Sequence, residues 1–140
     1  MPGGLVLHAT TVAWEGRGCL IRGRSGSGKS TLALQLMAWG AGLVADDRTV
    51  LSVRDGALLA SCPPDLAGLI EARGVGLLNA DAHPPCPVTL VVDLDERETD
   101  RLPPHRTTRL LDREVALVHD TGTAGFAAFI LQYLKAGRRE

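Results

Sequence analysis

The sequence predicts an α/β domain, and three observations predict it. Short apolar runs bounded by Gly, Pro and Asp recur along the chain, as strands do. A glycine-rich octapeptide, Gly23–Ser30, stands between one such run and a helical pattern. Near the end, Phe126, Phe129, Ile130, Tyr133 and Leu134 recur at i, i+3, i+4, i+7 and i+8, the spacing of an amphipathic helix. With 140 residues, 45% hydrophobic and 22% charged, the chain reads as one domain, 1–140, that can build its own core. That composition with a net charge of −1 excludes a disordered tail and gives no whole-domain basic field for nucleic acid. The apolar runs fall short of the ~20 residues that span a membrane. Met1-Pro2-Gly3-Gly4 has neither a charged leader nor a myristoylation pattern. Three cysteines without a CxxC pair read as buried or incidental thiols, so the expected compartment is the cytoplasm. Only Lys29 and Lys135 are lysines, against thirteen arginines, which makes each lysine's position informative.

In chain order, Leu5–Leu7 and Thr11–Trp14 read as strands, Glu15–Gly18 as a turn and Cys19–Arg22 as the next strand. Lys29–Trp39 reads as a helix with Leu32, Ala33, Leu36 and Trp39 on one face, stopped by Gly40. Leu43–Ala45 is a strand ending in Asp46-Asp47. Val50–Val53 and Leu58–Ser61 flank an Asp55-Gly56 hairpin turn. Pro63-Pro64 breaks the ribbon, and Asp65 is placed to cap a short helix to about Ile70. Glu71–Gly76 reads as a charged loop and Leu77-Leu78 as a strand. Val88–Leu94 is the most apolar run of the second half and should be a central strand. Asp95–Asp100 reads as a solvated charge run, Val115–Val118 as a strand, and Ala124–Ala136 as the closing helix, its stripe facing the core or a subunit contact.

The octapeptide Gly23-Arg24-Ser25-Gly26-Ser27-Gly28-Lys29-Ser30 fits G-x-x-x-x-G-K-[ST] without a mismatch. For this composition a chance match is on the order of 0.3%. Glycine lets successive backbone N–H groups turn inward around phosphate oxygens, and the helix that follows adds the positive end of its dipole. Lys29 can reach β- and γ-phosphates, and Ser30 can ligate Mg²⁺. This implies a nucleotide site.

The two aspartates follow from chain reach. A helix of about 11 residues climbs roughly 16 Å from the loop, and a strand of four or five residues returns about 13–16 Å. If that strand pairs parallel to Cys19–Arg22, Asp46 and Asp47 land beside the phosphate loop. Adjacent residues of an extended chain point to opposite sides. One carboxylate can then face a metal while the other faces a nucleophile and serves as general base for in-line attack on a γ-phosphorus.

These residues resemble the HPr kinase/phosphorylase family, specifically its C-terminal catalytic domain. The resemblance lies in His8-Ala9-Thr10, Gly23–Ser30, Leu43–Arg48 and above all Ile70-Glu71-Ala72-Arg73-Gly74-Val75-Gly76-Leu77-Leu78-Asn79, which is similar to the family's signature loop. It covers residues 5–80 well and the remainder weakly. It implies a phosphoenolpyruvate carboxykinase-like nucleotide-binding fold with the P-loop between strand and helix. It implies ATP- and Mg²⁺-dependent phosphorylation of a serine on HPr or a related phosphocarrier of the sugar phosphotransferase system. It makes Asp47 the base, leaves Asp46 with Ser30 and Glu71 for Mg²⁺, sets Lys29 on the transferring charge, and carries His8 over as an active-site residue. Arg101 is the best positional match to a late catalytic arginine, with Arg106 and Arg109 competing. Longer members form hexamers, so a homo-oligomer is possible. Val118–Thr123 departs from a proline- and arginine-rich loop tied to the reverse, phosphorylase reaction, and that activity is not carried over. Two rivals remain. A small-molecule P-loop kinase would need an arginine-bearing lid, which is not visible after Asp47. A non-catalytic nucleotide sensor would have no need for a base.

Overall fold

The computed structural model describes residues 4–140; Met1–Gly3, where the leader was sought, lie outside the described residues. The elements are β1 (Leu5–Leu7), β2 (Ala9–Trp14), β3 (Arg17–Arg22), α1 (Lys29–Ala38), β4 (Gly42–Ala45), β5 (Thr49–Arg54), β6 (Ala57–Ser61), β7 (Leu69–Ala72), β8 (Gly76–Asn79), β9 (Cys86–Arg97), β10 (Arg106–Leu110), β11 (Arg113–Asp120) and α2 (Phe126–Ala136). Nine strands make one curled sheet in the order β1-β5-β6-β9-β3-β2-β4, with β11 also on β9 and β10 on β11; β7 and β8 form a separate hairpin.

The hub is β9. Its first two residues pair antiparallel with β6, and from Val88 it runs parallel to β3, with Leu20 opposite Val91. From Leu90 it also runs parallel to β11. Alternation explains why the central strands read as unbroken apolar runs. Cys19, Ile21, Leu90 and Val92 face one side, where Leu32 and Leu36 of α1 and Phe126, Ile130 and Leu134 of α2 cover them. Leu20, Val88 and Val91 face the other side, under Leu51, Leu58 and Ala60 of the β5–β6 ribbon. Truncating one of these fully buried side chains, Ile130→Ala for example, removes about 2–5 kcal/mol of packing.

Local chemistry sets the ends of elements. Asp55 and Gly56 both take positive φ, 52° and 79°, the conformation a two-residue hairpin turn requires. The end of α1 closes through Gly40 N–H to the Met37 carbonyl and Ala41 N–H to the Leu36 carbonyl. Leu32, Ala33 and Leu36 are buried as their spacing implies, but Trp39 at the cap is exposed and does not share their face.

Three expectations are corrected. The helix expected from Asp65 to Ile70 is instead a 3₁₀ turn, Pro64–Leu66, with Pro63 in the N-cap position and no side-chain cap from Asp65. Gly68 at φ 71° ends it, and Ile70 is buried in β7 opposite Leu78. A segment that short cannot sustain a helix against a strand pairing that buries an isoleucine. Only Arg73–Val75 of Glu71–Gly76 is a turn: Glu71 and Ala72 end β7 and Gly76 begins β8. The charge run Asp95–Asp100 is exposed as expected except at Glu98, whose side chain is 7% exposed, and β9 continues through it as far as Arg97. The unexpected β10 is a polar edge strand, joined to β11 through Leu111 and Asp112 at φ 48° and 60°, so no glycine announced its turn. Among the described residues no helix is long and apolar enough to cross a membrane.

Candidate active site

The glycine-rich loop Gly23–Gly28 leaves the end of β3 and enters α1. Gly23 has φ 157°, and a Cβ there would lie 2.5 Å from Ser27 Oγ. Gly28, at φ 101°, is the N-cap of α1 and supplies no side-chain cap, so the first N–H groups of the helix are left for another acceptor. Ser27 Oγ is buried and has no hydrogen-bond partner. Lys29 is 9% exposed, and its ammonium donates to the Gly23 carbonyl at 2.7 Å and the Arg24 carbonyl at 3.0 Å.

The acidic pair does stand beside this loop, by a different route from the one expected. β4 does not pair with β3, because β2 lies between them and is antiparallel to both. Two antiparallel steps restore direction, so β3 and β4 still end on one sheet edge. Asp46 is 8% exposed, and its carboxylate ties three elements together. Oδ1 accepts from Ser30 Oγ at 2.7 Å and Thr10 Oγ1 at 2.9 Å, and Oδ2 accepts from the Glu71 N–H at 2.9 Å. Asp47 turns away. Its chain is left-handed rather than extended, φ 67°, with its N–H donated to Thr10 Oγ1 at 3.1 Å. Its side chain is exposed, and Oδ1 lies 4.0 Å from His8 Nδ1.

A cleft of about 200 Å³ opens between loop and hairpin, lined among others by Lys29, Ser30, Asp47, Glu71 and Arg73. Ser25, Gly26 and Gly28 share that lining; Arg24 extends outward into solvent. Glu71 is brought there by β7, whose backbone N–H is anchored on Asp46. Arg73 follows in the turn and reaches over Gly26. Arg101 is exposed in the bend after β9 and is not part of the cleft lining. Arg106 is committed to Glu98, at 3.1 Å through both Nε and Nη2, and Arg109 donates to the Asp112 carbonyl. Hydrogen bonds from the Arg106 guanidinium, then from the Asp100 amide, with the Arg106 charge and the Thr99 amide behind them, hold the Glu98 carboxyl down to about 2. Burial pushes the Cys19 thiol up to about 12 and the Cys86 thiol to about 11, so neither supplies a thiolate.

Could these residues hold Mg²⁺? Among the described residues no cluster of three or more His, Cys, Asp or Glu forms a metal site by itself. Mg²⁺ asks for less, since it keeps waters and takes phosphate oxygens alongside one or two protein oxygens. The donors present are all hard oxygens: Ser30 Oγ and the Glu71 carboxylate in the cleft, with Asp46 behind Ser30. The set fits. A phosphate chain fits as well, given the orphaned Ser27 hydroxyl and the uncapped helix end.

Sequence reasoning passed over two residues. Thr10 bridges Asp46 and the Asp47 amide, and its signal was the pair of hydroxyls, Thr10 and Thr11, inside an otherwise apolar strand. Asp95 accepts from the Arg24 N–H of the loop, and lay hidden in what read as a solvated run.

Comparison with known proteins gives the family and the fold. The family model of the HPr Serine kinase C-terminal domain matches residues 4–116. The chain is 40% identical over 116 residues to an HPr kinase/phosphorylase of Aromatoleum aromaticum, covering 74% of this chain and 37% of that protein. It is 51% identical over 74 residues to one of Bordetella petrii, covering 52% of this chain and 24% of that protein. The structure of the Hpr(Ser) kinase/phosphatase from Coxiella burnetii superposes with a TM-score of 0.79 at 23% identity, over 94% of this chain and 88% of that one. The chain belongs to the HPr serine kinase C-terminal domain family, and its α/β fold is that of the Coxiella protein. It spans only about a quarter to two-fifths of the length of these two curated relatives.

Proposed function

We propose that the cleft binds ATP·Mg²⁺ and transfers the γ-phosphoryl group to a serine of HPr or a related phosphocarrier in the cytoplasm. The observation behind this reading is the division of labour between adjacent carboxylates. Asp46 is spent on three protein donors, whereas Asp47 lines the cleft with its oxygens unengaged except for His8 nearby. The serine oxygen forms a bond to the γ-phosphorus as the bond to the β-phosphate oxygen breaks. Its proton passes to Asp47 and ADP leaves.

The remaining residues serve position and charge. Loop N–H groups and the end of α1 hold the phosphates. Lys29 supplies the cation on the transferring group, and His8 orients Asp47. Ser30 and Glu71 would hold Mg²⁺, with Asp46 aligning the Ser30 hydroxyl. Bound there, Mg²⁺ would neutralise charge shared between the β- and γ-phosphates. Arg73 can fork onto phosphate oxygens from the hairpin side. Arg101 keeps only the role its resemblance implies, a late cation for the transferring group. The reading is confined to the kinase direction, because Val118–Thr123 lacks the proline and arginine pattern.

The test is incubation of the protein and a purified HPr-type carrier with labelled ATP and Mg²⁺, followed by mass mapping. A single phosphoserine on the carrier is expected, and chelation of Mg²⁺ should abolish it. Transfer to sugars or nucleotides instead would move the assignment to a small-molecule kinase. Saturable ATP binding with no transfer to any acceptor would leave a nucleotide sensor.

A further inference from the structure

The phosphate loop has a fastening on the side opposite Asp46, and it involves a residue to which the proposed reaction gives no part. Asp95, in the last third of β9, accepts the Arg24 N–H on both carboxylate oxygens, at 3.1 and 3.0 Å. The Arg24 Nε lies 3.8 Å from the same carboxylate. Asp95 is itself placed by a chain of contacts. Its N–H donates to Asp93 Oδ1 at 2.9 Å, Asp93 Oδ2 accepts from Arg22 Nε at 3.2 Å, and Arg22 Nη1 donates to Thr108 Oγ1 at 3.3 Å. Three strands, β3, β9 and β10, therefore determine where this carboxylate sits.

The Arg24 N–H belongs to the same peptide unit as the Gly23 carbonyl. In a trans peptide the N–H and C=O point in opposite directions. Holding the N–H on Asp95 aims the Gly23 carbonyl away from Asp95, and that carbonyl accepts Lys29 Nζ at 2.7 Å. The next carbonyl, Arg24, takes a second ammonium hydrogen and also the Ser27 N–H at 3.0 Å. An ammonium has three hydrogens. Two are engaged on the loop, and the third is left for the cleft that Lys29 lines.

We propose that Asp95 is a positioning residue of the phosphate loop: it fixes the Gly23–Arg24 peptide so that its carbonyl holds Lys29 with one N–H directed at bound phosphate. Glycine at position 23 leaves this peptide free to flip, since no side chain opposes rotation there. A latch on its N–H removes that freedom before ligand arrives. As a negative charge near a polyphosphate, Asp95 would otherwise only weaken binding, so its charge and its latch act in opposite directions. The inference rests on the reading of the cleft as an ATP site.

Two variants separate charge from latch. Asp95→Asn and Asp95→Ala both remove the charge, but only Asn keeps an oxygen that can accept the Arg24 N–H. ATP affinity is measured by calorimetry on each, and exchange of the Arg24 amide is followed by NMR without nucleotide. The latch predicts that Asp95→Ala binds ATP about tenfold more weakly than Asp95→Asn. It also predicts faster Arg24 exchange in Asp95→Ala only. Equal affinities for the two variants, or equal tightening in both, would overturn it and leave Asp95 acting through its field alone. Rapid Arg24 exchange in the folded parent would overturn it whatever the variants do. Failure of the parent to bind ATP is a different result: it removes the proposed nucleotide site, while amide exchange still reports on the latch.

Discussion

Two strands of this sheet, β4 and β9, look alike in sequence and hold the glycine-rich loop from different sides. Each is an apolar run that ends in aspartates, and each ends near the loop. At the end of β4, Asp46 is buried and accepts from two hydroxyls and a backbone amide, so it joins β2, α1 and β7. At the end of β9, Asp95 is two-fifths exposed and accepts a single loop amide. The acids do not differ in chemistry. They differ in what stands opposite: Thr10 and Ser30 in one case, the Gly23–Arg24 peptide in the other. An apolar run followed by Asp is therefore a statement about where a carboxylate lies, and the facing element assigns its work.

The largest expected effect lies within the β4 end itself. Asp47→Asn should lower phosphoryl transfer by about 10²–10⁴-fold with ATP affinity intact, measured by single-turnover labelling of the carrier beside calorimetric titration. Transfer at the parent rate would remove Asp47 as base. Next, Asp46→Ala should cost about 3 kcal/mol of stability in urea, because it strands two hydroxyls and an amide. Asp95→Ala should stay within about 1 kcal/mol of the parent in the same assay. Equal losses would erase the distinction between the two strand ends.

Beyond Asp95, the β9 side should show itself through acid. Glu98 is held at about 2 against an ordinary 4.5, so the stability it confers is full above pH 4.5 and is lost as pH falls through about 2. Glu98→Gln should flatten that part of the pH dependence, read from urea midpoints across the range. An unchanged slope would mean the Arg106 pair contributes nothing there. The smallest effect is far from both ends. Arg17 Nη1 caps α2 through the Leu134 and Lys135 carbonyls at 2.7 and 2.9 Å. Arg17→Ala should lose about 1 kcal/mol with ATP binding unchanged.

Much of the site was legible because its parts are local or bounded by chain reach. The octapeptide needs only its own glycines, Lys29 and Ser30, and the length of α1 and β4 dictates that Asp46 and Asp47 return to it. The position of β2 between β3 and β4 was not legible, because direct parallel pairing and two antiparallel steps through β2 bring Asp46 and Asp47 to the same sheet edge. Asp47 was expected on extended chain and sits instead at φ 67°, a local choice enforced by Thr10 from another strand. Glu71 was found through a sequence resemblance, but its strand was not, since Ile70 gains its burial only when α1 and β8 are already in place.

From its residues alone the chain determined an α/β architecture, a glycine-rich loop between strand and helix, one central strand over Val88–Leu94, and a closing amphipathic helix. Each of these depends on periodicity or on contacts within a few residues, which order along the chain already specifies. The tertiary structure decided which carboxylate is spent and which is free, that Asp95 meets the loop while Arg101 stays outside the cleft lining, and that Glu98 pairs with Arg106. Those outcomes depend on hydrogen-bond partners 8 to 71 residues away, and pairing at such separations is settled only when the sheet closes.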